Sequence, residues 1–225
     1  MRPLCETEIL TIEEMRRDGA RRWLRLTLSG LAGPARPGQT MLFAEERHSP
    51  RCRIATVETV EGARAVLVAR FEADDRAPKA GARLAVWSNE EPAVSPGPGS
   101  LVVTTPAFLY RVAPFAQLGA ELIVEEPGVD LWEVLRQRLG ESGDWTSIFL
   151  ALEPARLEAF AAAFPGADPY LYANMDMSCG IGACRSCHVN LTDCKDGEAS
   201  CRRGPWFALQ RVNLVRLRFA SVPYI

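Results

Sequence analysis

Met177-Ser-Cys-Gly-Ile-Gly-Ala-Cys-Arg-Ser-Cys-His-Val189, followed after a short interval by Cys201-Arg-Arg-Gly-Pro-Trp-Phe207, decides how the rest of this chain is read. Cys179, Cys184, Cys187 and Cys201 are spaced C-x4-C-x2-C and then C-x13-C. The first three have the spacing of a plant-type [2Fe–2S] ligand loop, whose fourth ligand arrives from a more distant segment. Four intervening residues let the backbone wrap one side of a cluster, and the C-x-x-C turn then holds one region of it. Gly180 and Gly182 permit positive φ and close backbone approach, so that amide N–H groups can point at sulfur. Such hydrogen bonds are one control on reduction potential.

Other uses of these cysteines fit less well. A disulfide framework needs an oxidising compartment, yet the sequence opens Met1-Arg-Pro-Leu-Cys-Glu with no apolar signal region, and seven cysteines is an odd number. A four-cysteine zinc site usually pairs two short knuckles, whereas here there is one C-x-x-C. A [4Fe–4S] run would show C-x2-C-x2-C. Zinc remains the main alternative. Cys194 lies in the polar turn Leu191-Thr-Asp-Cys-Lys-Asp-Gly197 and is read as a surface thiol, leaving Cys201 as the fourth ligand.

Met177-x-Cys-Gly-Ile-Gly-Ala-Cys-x-x-Cys with Cys201-x-x-Gly-Pro-x-Phe resembles the iron–sulfur domain of the electron-transfer subunit of type B dihydroorotate dehydrogenase, a ferredoxin-reductase-like flavoprotein. The resemblance implies three parts in order: a flavin-binding β-barrel, a nicotinamide-nucleotide domain and a C-terminal [2Fe–2S] domain. It also implies a partner that holds FMN and oxidises dihydroorotate. Electrons would then pass through the cluster to FAD and on to NAD⁺.

The 225 residues suit two or three small domains, and a hydrophobic content of 48% with 24% charged residues is that of a globular protein. With a net charge of −2 there is no basic field for nucleic acid or an anionic membrane. The uncharged run Pro92–Tyr110 is broken by prolines and glycines, so it is not a membrane span. A cytoplasmic protein is expected.

Residues 1–98 read as an antiparallel β-barrel. Period-2 alternation marks strands at Thr7–Ile12, Arg22–Leu28, Gln39–Phe43, Arg53–Val60, Ala65–Phe71 and Arg83–Trp87, with turns at Gly33-Pro34 and Pro37-Gly38. Pro37-Gly-Gln-Thr40 is similar to the Pro-Gly-Gln-Phe turn of the family barrel. Arg53-Ile-Ala-Thr56 is similar to its Arg-x-x-Ser flavin segment, which implies Arg53 at an FAD pyrophosphate and Thr56 near the isoalloxazine. The plain alternative is an ordinary strand with Arg53 outward. Acidic residues at Asp74, Asp75, Glu90 and Glu91 fall where the family cradles phosphate, and carboxylates oppose an anion there. FAD is thus left open as a second cofactor.

Ala93–Ser100 is a linker by composition, and residues 99–166 read as a reduced, nucleotide-domain-like βαβ unit. Its strands are expected at Leu101–Thr105, Glu121–Val124 and Ser147–Leu150. One helix over Asp130–Leu139 has Asp130 as N-cap, Glu133 completing a capping box and Gly140 as stop. A second, over 155–164, opens at Pro154 and closes at Pro165-Gly166. Phosphate needs glycine after the first strand, and Thr104-Thr-Pro-Ala-Phe-Leu-Tyr110 has none. The family run Gly-Gly-Gly-x-Gly is missing, although Val112-Ala-Pro-Phe115 resembles the Val-Ala-Pro-Leu that stands after that run in the family. The missing glycines argue against NAD.

Residues 167–225 are the [2Fe–2S] domain, in which Tyr170–Tyr172 leads into the cysteine loop and a short strand is expected at His188–Leu191. His188 is a rim residue, because a Rieske pattern needs two histidines. Alternation over Val212–Tyr224 reads as one more edge strand or as a partner contact. The expected function is electron transfer through the cluster, between a flavin-containing catalytic subunit in a hetero-oligomer and another carrier. The alternative is a redox-sensing or structural four-cysteine module.

Overall fold

The computed structural model describes residues 5–19, 21–31, 35–45, 52–72, 75–88, 94–142, 145–175, 179 and 182–217. Six antiparallel strands come first: β1 (Cys5–Asp18), β2 (Arg21–Leu28), β3 (Thr40–Ala44), β4 (Arg53–Glu61), β5 (Arg64–Phe71) and β6 (Arg83–Ser88). They form a closed barrel in the order β1-β2-β5-β4-β3-β6, with β1 returning to β6 through Cys5↔Val86. Closure removes the unpaired strand edges that would otherwise invite association. Alternation sends Leu24, Leu26 and Leu28 of β2 inward, where they pack with Ile9, Phe43, Val57, Leu67 and Phe71. On the outer face a bulge between Val57 and Thr59 aims Glu58 at Arg25, which it binds through both carboxylate oxygens at 2.6 and 2.7 Å.

The second sheet runs β13-β10-β9-β7-β8. Its middle-domain strands are β7 (Ser100–Thr104), β8 (Glu121–Val124) and β9 (Ser147–Ala151), all parallel. All of β7 is buried, the state of a strand covered on both faces, and this explains its continuous apolar run. Between β7 and β8 lie a short helix, α1 (Leu109–Val112), and a 3-10 turn over Ala113–Leu118. Helix α2 (Leu131–Ser142) starts where Asp130 Oδ1 accepts from the Trp132 amide at 2.9 Å. Glu133 turns to Arg136 at 2.8 Å instead of closing the capping box. Gly140 does not stop this helix. An added Cβ there meets nothing within 4 Å, so the glycine sits in an open last turn at a cost of about 1 kcal/mol. Helix α3 (Pro154–Ala163) opens at its proline as expected, and Phe160 stacks on Phe164 and meets Trp132 edge-on.

The sheet does not end at residue 166. β10 (Tyr170–Tyr172) continues it parallel to β9, and β13 (Trp206–Ala208) adds an antiparallel edge through Leu171↔Phe207. Between them lie β11 (His188–Val189), β12 (Glu198–Ala199) and the single turn α4 (Ser200–Arg203). Trp206 meets Phe115, Phe149 and Tyr172 edge-on at 6.0, 5.0 and 5.1 Å, tying the cysteine segment to the middle sheet. Trp206→Ala is expected to cost about 3–5 kcal/mol, as large-to-small core changes do. Denaturant unfolding measures it, and a loss below about 1 kcal/mol would mean that Trp206 does not anchor the segment.

The strand expected over 212–224 is not formed in the described part. Val212 makes one bridge to Leu191, and Leu214–Arg216 then turns as a 3-10 helix, with the Asn213 side chain accepting from the Arg216 amide at 3.3 Å. Local side-chain capping outcompetes alternation there. Residues 218–225 lie outside the described residues. Barrel and middle domain meet on the outer side of β3 and β4, where Leu42 and Ile54 join the core that contains Phe115 and Phe149. Gly38 is necessary at this junction: with φ +78°, an added Cβ would lie 2.3 Å from the Phe115 ring. Among the described residues no helix is long and apolar enough to cross a membrane.

Candidate iron–sulfur centre

The hairpin of β11 and β12 assembles half of the cysteine set. His188 pairs with Ala199, so the flanking Cys187 and Cys201 come side by side, and the Ser200 amide donates to the Cys187 carbonyl at 2.9 Å. Both cysteines are buried. Their thiols share a hydrogen bond, which draws Cys187 down to about 6 and pushes Cys201 up. The Gly182 amide also reaches the Cys201 thiol. Gly182 has φ +80°, and Gly180 lies outside the described residues together with Met177.

Cys179 and Cys184 form the other half. The Cys184 amide points at Cys179 Sγ at 3.4 Å, an N–H···S contact of the kind expected from the glycine-rich spacing. Cys184 is exposed, and the Ser186 hydroxyl 3.1 Å from its sulfur draws its thiol down to about 7. The four thiols therefore stand two by two. Among the described residues no three His, Cys, Asp or Glu side chains gather as a single-ion site. A two-iron centre takes thiolates at each iron, and soft thiolate donors with amides aimed at sulfur suit it.

Cys194 is half-buried rather than on the surface, and its thiol donates to the Gly197 carbonyl at 3.7 Å. Cys52, just before β4, was not anticipated. It is half-buried, and burial together with the neighbouring Cys179, Cys187 and Cys184 pushes its thiol up to about 12. No sequence spacing links it to the motif, since only folding brings the barrel to this loop.

Residues 174–213 match the iron–sulfur cluster binding domain of dihydroorotate dehydrogenase B. This segment is similar to that iron–sulfur domain. The whole chain has the fold of a solved NADH-dependent reduced ferredoxin-NADP oxidoreductase structure, at 15% identity and a TM-score of 0.70, covering 96% of this chain and 93% of that one. Phthalate dioxygenase reductase, described as carrying electrons from pyridine nucleotides to [2Fe–2S], aligns at 12% identity and a TM-score of 0.51, covering 93% and 95%. At these identities the likeness is one of fold. No curated protein matches the sequence.

In front of the iron–sulfur domain, Arg53, expected at a flavin, has another partner. Arg53 Nη1 binds Asp75 Oδ2 at 2.7 Å, and its guanidinium lies 4.8 Å from the Phe71 ring centre. Burial raises the Asp75 carboxyl, but the bonds from Arg53 and the Glu72 amide outweigh it and hold the group below the usual range. A diphosphate at Arg53 would have to displace this carboxylate. Thr56 is 1% exposed and its hydroxyl has no partner, on a strand that packs against the 109–118 segment. Asp74, Glu90 and Glu91 lie outside the described residues. Past β7, where a glycine loop would admit phosphate, Phe108, Val112 and Phe115 are buried. Tyr110 meets Trp23 edge-on at 6.1 Å. Arg111 is 4% exposed, with Nε and Nη1 unpartnered and its guanidinium over Tyr110 at 4.7 Å. Side chains fill this junction.

Proposed function

We propose that this chain is the electron-transfer subunit of an oxidoreductase complex, relaying single electrons through a [2Fe–2S] cluster between a flavin-bearing catalytic partner and a second carrier. The observation that carries this reading is the two-by-two grouping of Cys179 with Cys184 and Cys187 with Cys201, within the segment that matches the iron–sulfur domain. When bound, the cluster supplies one-electron chemistry and makes no substrate bond. The chain's own residues ligate, shield and orient. Cys187 and Cys201 hold the inner side away from water, the amides of Cys184 and Gly182 stabilise thiolate charge, and Cys184 keeps one edge at the surface.

Bond-making then belongs to a partner subunit. The family match supports a flavoprotein in a hetero-oligomer, with dihydroorotate as its substrate and pyrimidine synthesis in the cytoplasm as the setting. The test mixes the cluster-loaded chain with its co-purifying flavoprotein and adds dihydroorotate. Bleaching of the cluster absorbance, with a rhombic one-half-spin resonance appearing in step, is the expected result. If dihydroorotate fails while another substrate of that partner reduces the cluster, the relay stands and the pyrimidine assignment falls. If no substrate of the partner reduces it, the relay falls as well.

A further inference from the structure

The four ligand thiols meet in couples. Cys187 and Cys201 flank the β11–β12 hairpin, are 1% and 2% exposed, and hydrogen-bond to each other. Cys179 and Cys184 are hydrogen-bonded in the same way, and the Cys184 amide lies 3.4 Å from Cys179 Sγ. Two thiols in such contact are a short side-chain rotation away from an S–S bond of about 2 Å. The sequence suggests a different couple, since Cys184-Arg-Ser-Cys187 has the C-x-x-C spacing of dithiol redox motifs. The fold separates those two. Cys187 is buried against Cys201, whereas Cys184 stays at the surface with the Ser186 hydroxyl 3.1 Å from its sulfur.

We propose that these couples are sites of thiol–disulfide modification. When the chain carries no cluster, Cys179 and Cys184 join first and Cys187 and Cys201 second, and thiols tied up in this way hold no iron until a dithiol reduces them. The proposal goes beyond the relay and takes from that reading only that these four thiols are the ligands. For the outer couple the oxidant is a small disulfide, oxidised glutathione. The Cys184 sulfur attacks as thiolate, the glutathione S–S bond breaks and one glutathione leaves. The Cys179 sulfur then attacks the Cys184 sulfur of the mixed disulfide and expels the second. Two protein S–H bonds and one S–S bond are lost, and one protein S–S bond and two glutathione S–H bonds are gained, so two electrons pass to glutathione. Exposure sets the order. Glutathione reaches the exposed Cys184 but not two buried sulfurs, whereas hydrogen peroxide is small enough to enter. It takes two electrons and two protons from the inner couple and becomes two waters.

The test gives oxidised glutathione to the full-length chain stripped of its cluster, alkylates the free thiols and maps the disulfides by mass spectrometry. The Cys179–Cys184 link is expected to form at least about tenfold faster than any link to Cys187 or Cys201, and peroxide should then add Cys187–Cys201. Uptake of iron with sulfide should fall below about one-tenth of that of the reduced chain and return with dithiothreitol. In Cys179→Ser, Cys184 should end as its glutathione adduct. Peroxide added to the cluster-loaded protein should give the same first link as the cluster is lost, which keeps the test open if the stripped chain unfolds. A Cys184–Cys187 link, or one to Cys52 or Cys194, as the main product overturns the proposal. So does an oxidised chain that loads iron as well as the reduced one. If the reduced chain takes up no iron, the cluster reading itself falls, while the map still decides the pairing.

Discussion

Serine at Cys187 or Cys201 is expected to abolish the cluster, lowering iron from about two per chain to a trace and removing the one-half-spin resonance. These two thiols are buried and share a hydrogen bond, so each substitution removes a soft thiolate from a dry position that water cannot fill well. Cys179→Ser and Cys184→Ser should damage the same signal. The exposed Cys184 position should retain the most, because a serine oxygen or water has access there. Cys194→Ser should leave iron content and resonance unchanged, since that thiol is engaged with the Gly197 carbonyl. Iron analysis and low-temperature resonance spectra of the five variants decide the matter. A normal signal in Cys201→Ser together with loss in Cys194→Ser would transfer the fourth ligand to Cys194.

The second large effect concerns nicotinamide and flavin. NADH is expected to leave the cluster of the isolated chain oxidised, at less than about one-hundredth of the rate seen with a reduced flavoprotein donor, because a hydride needs a flavin before it can feed a one-electron centre. Phe108, Val112 and Phe115 are buried where a phosphate-binding loop would run, and Arg53 already has an anion in Asp75. Denatured protein should correspondingly release FAD below stoichiometry or none. Asp75→Ser, which frees the guanidinium, should raise FAD uptake. Stoichiometric FAD from the wild type, or prompt bleaching by NADH, would show that the junction opens readily and that the flavin segment functions as its resemblance implies.

Much of the architecture was legible locally. Alternation in Arg22–Leu28 and in the other five strands placed the barrel staves, because a strand with one face in a core repeats every second residue. Asp130 and Pro154 announced two helix starts for reasons contained within one turn. The cysteine motif was legible because a cluster fixes the spacing of the chain that wraps it. Local rules failed where two of them competed: Gly140 was tolerated inside an open helical turn, and Asn213 capped a 3-10 turn over an alternating segment.

The sequence by itself determined the strands and the helix starts, which depend on neighbours within a few residues, and the spacing of the cysteine motif. Tertiary structure alone decided that Tyr170–Tyr172 and Trp206–Ala208 extend the middle sheet, that Phe115 closes on Gly38, and that Asp75 meets Arg53. It also decided that the thiols gather in pairs and that Cys52 of the barrel comes up beside them. These contacts join residues far apart in the chain. No periodicity or spacing encodes them, and they exist because burying the outer face of the barrel and the edge of the sheet leaves the segments nowhere else to pack.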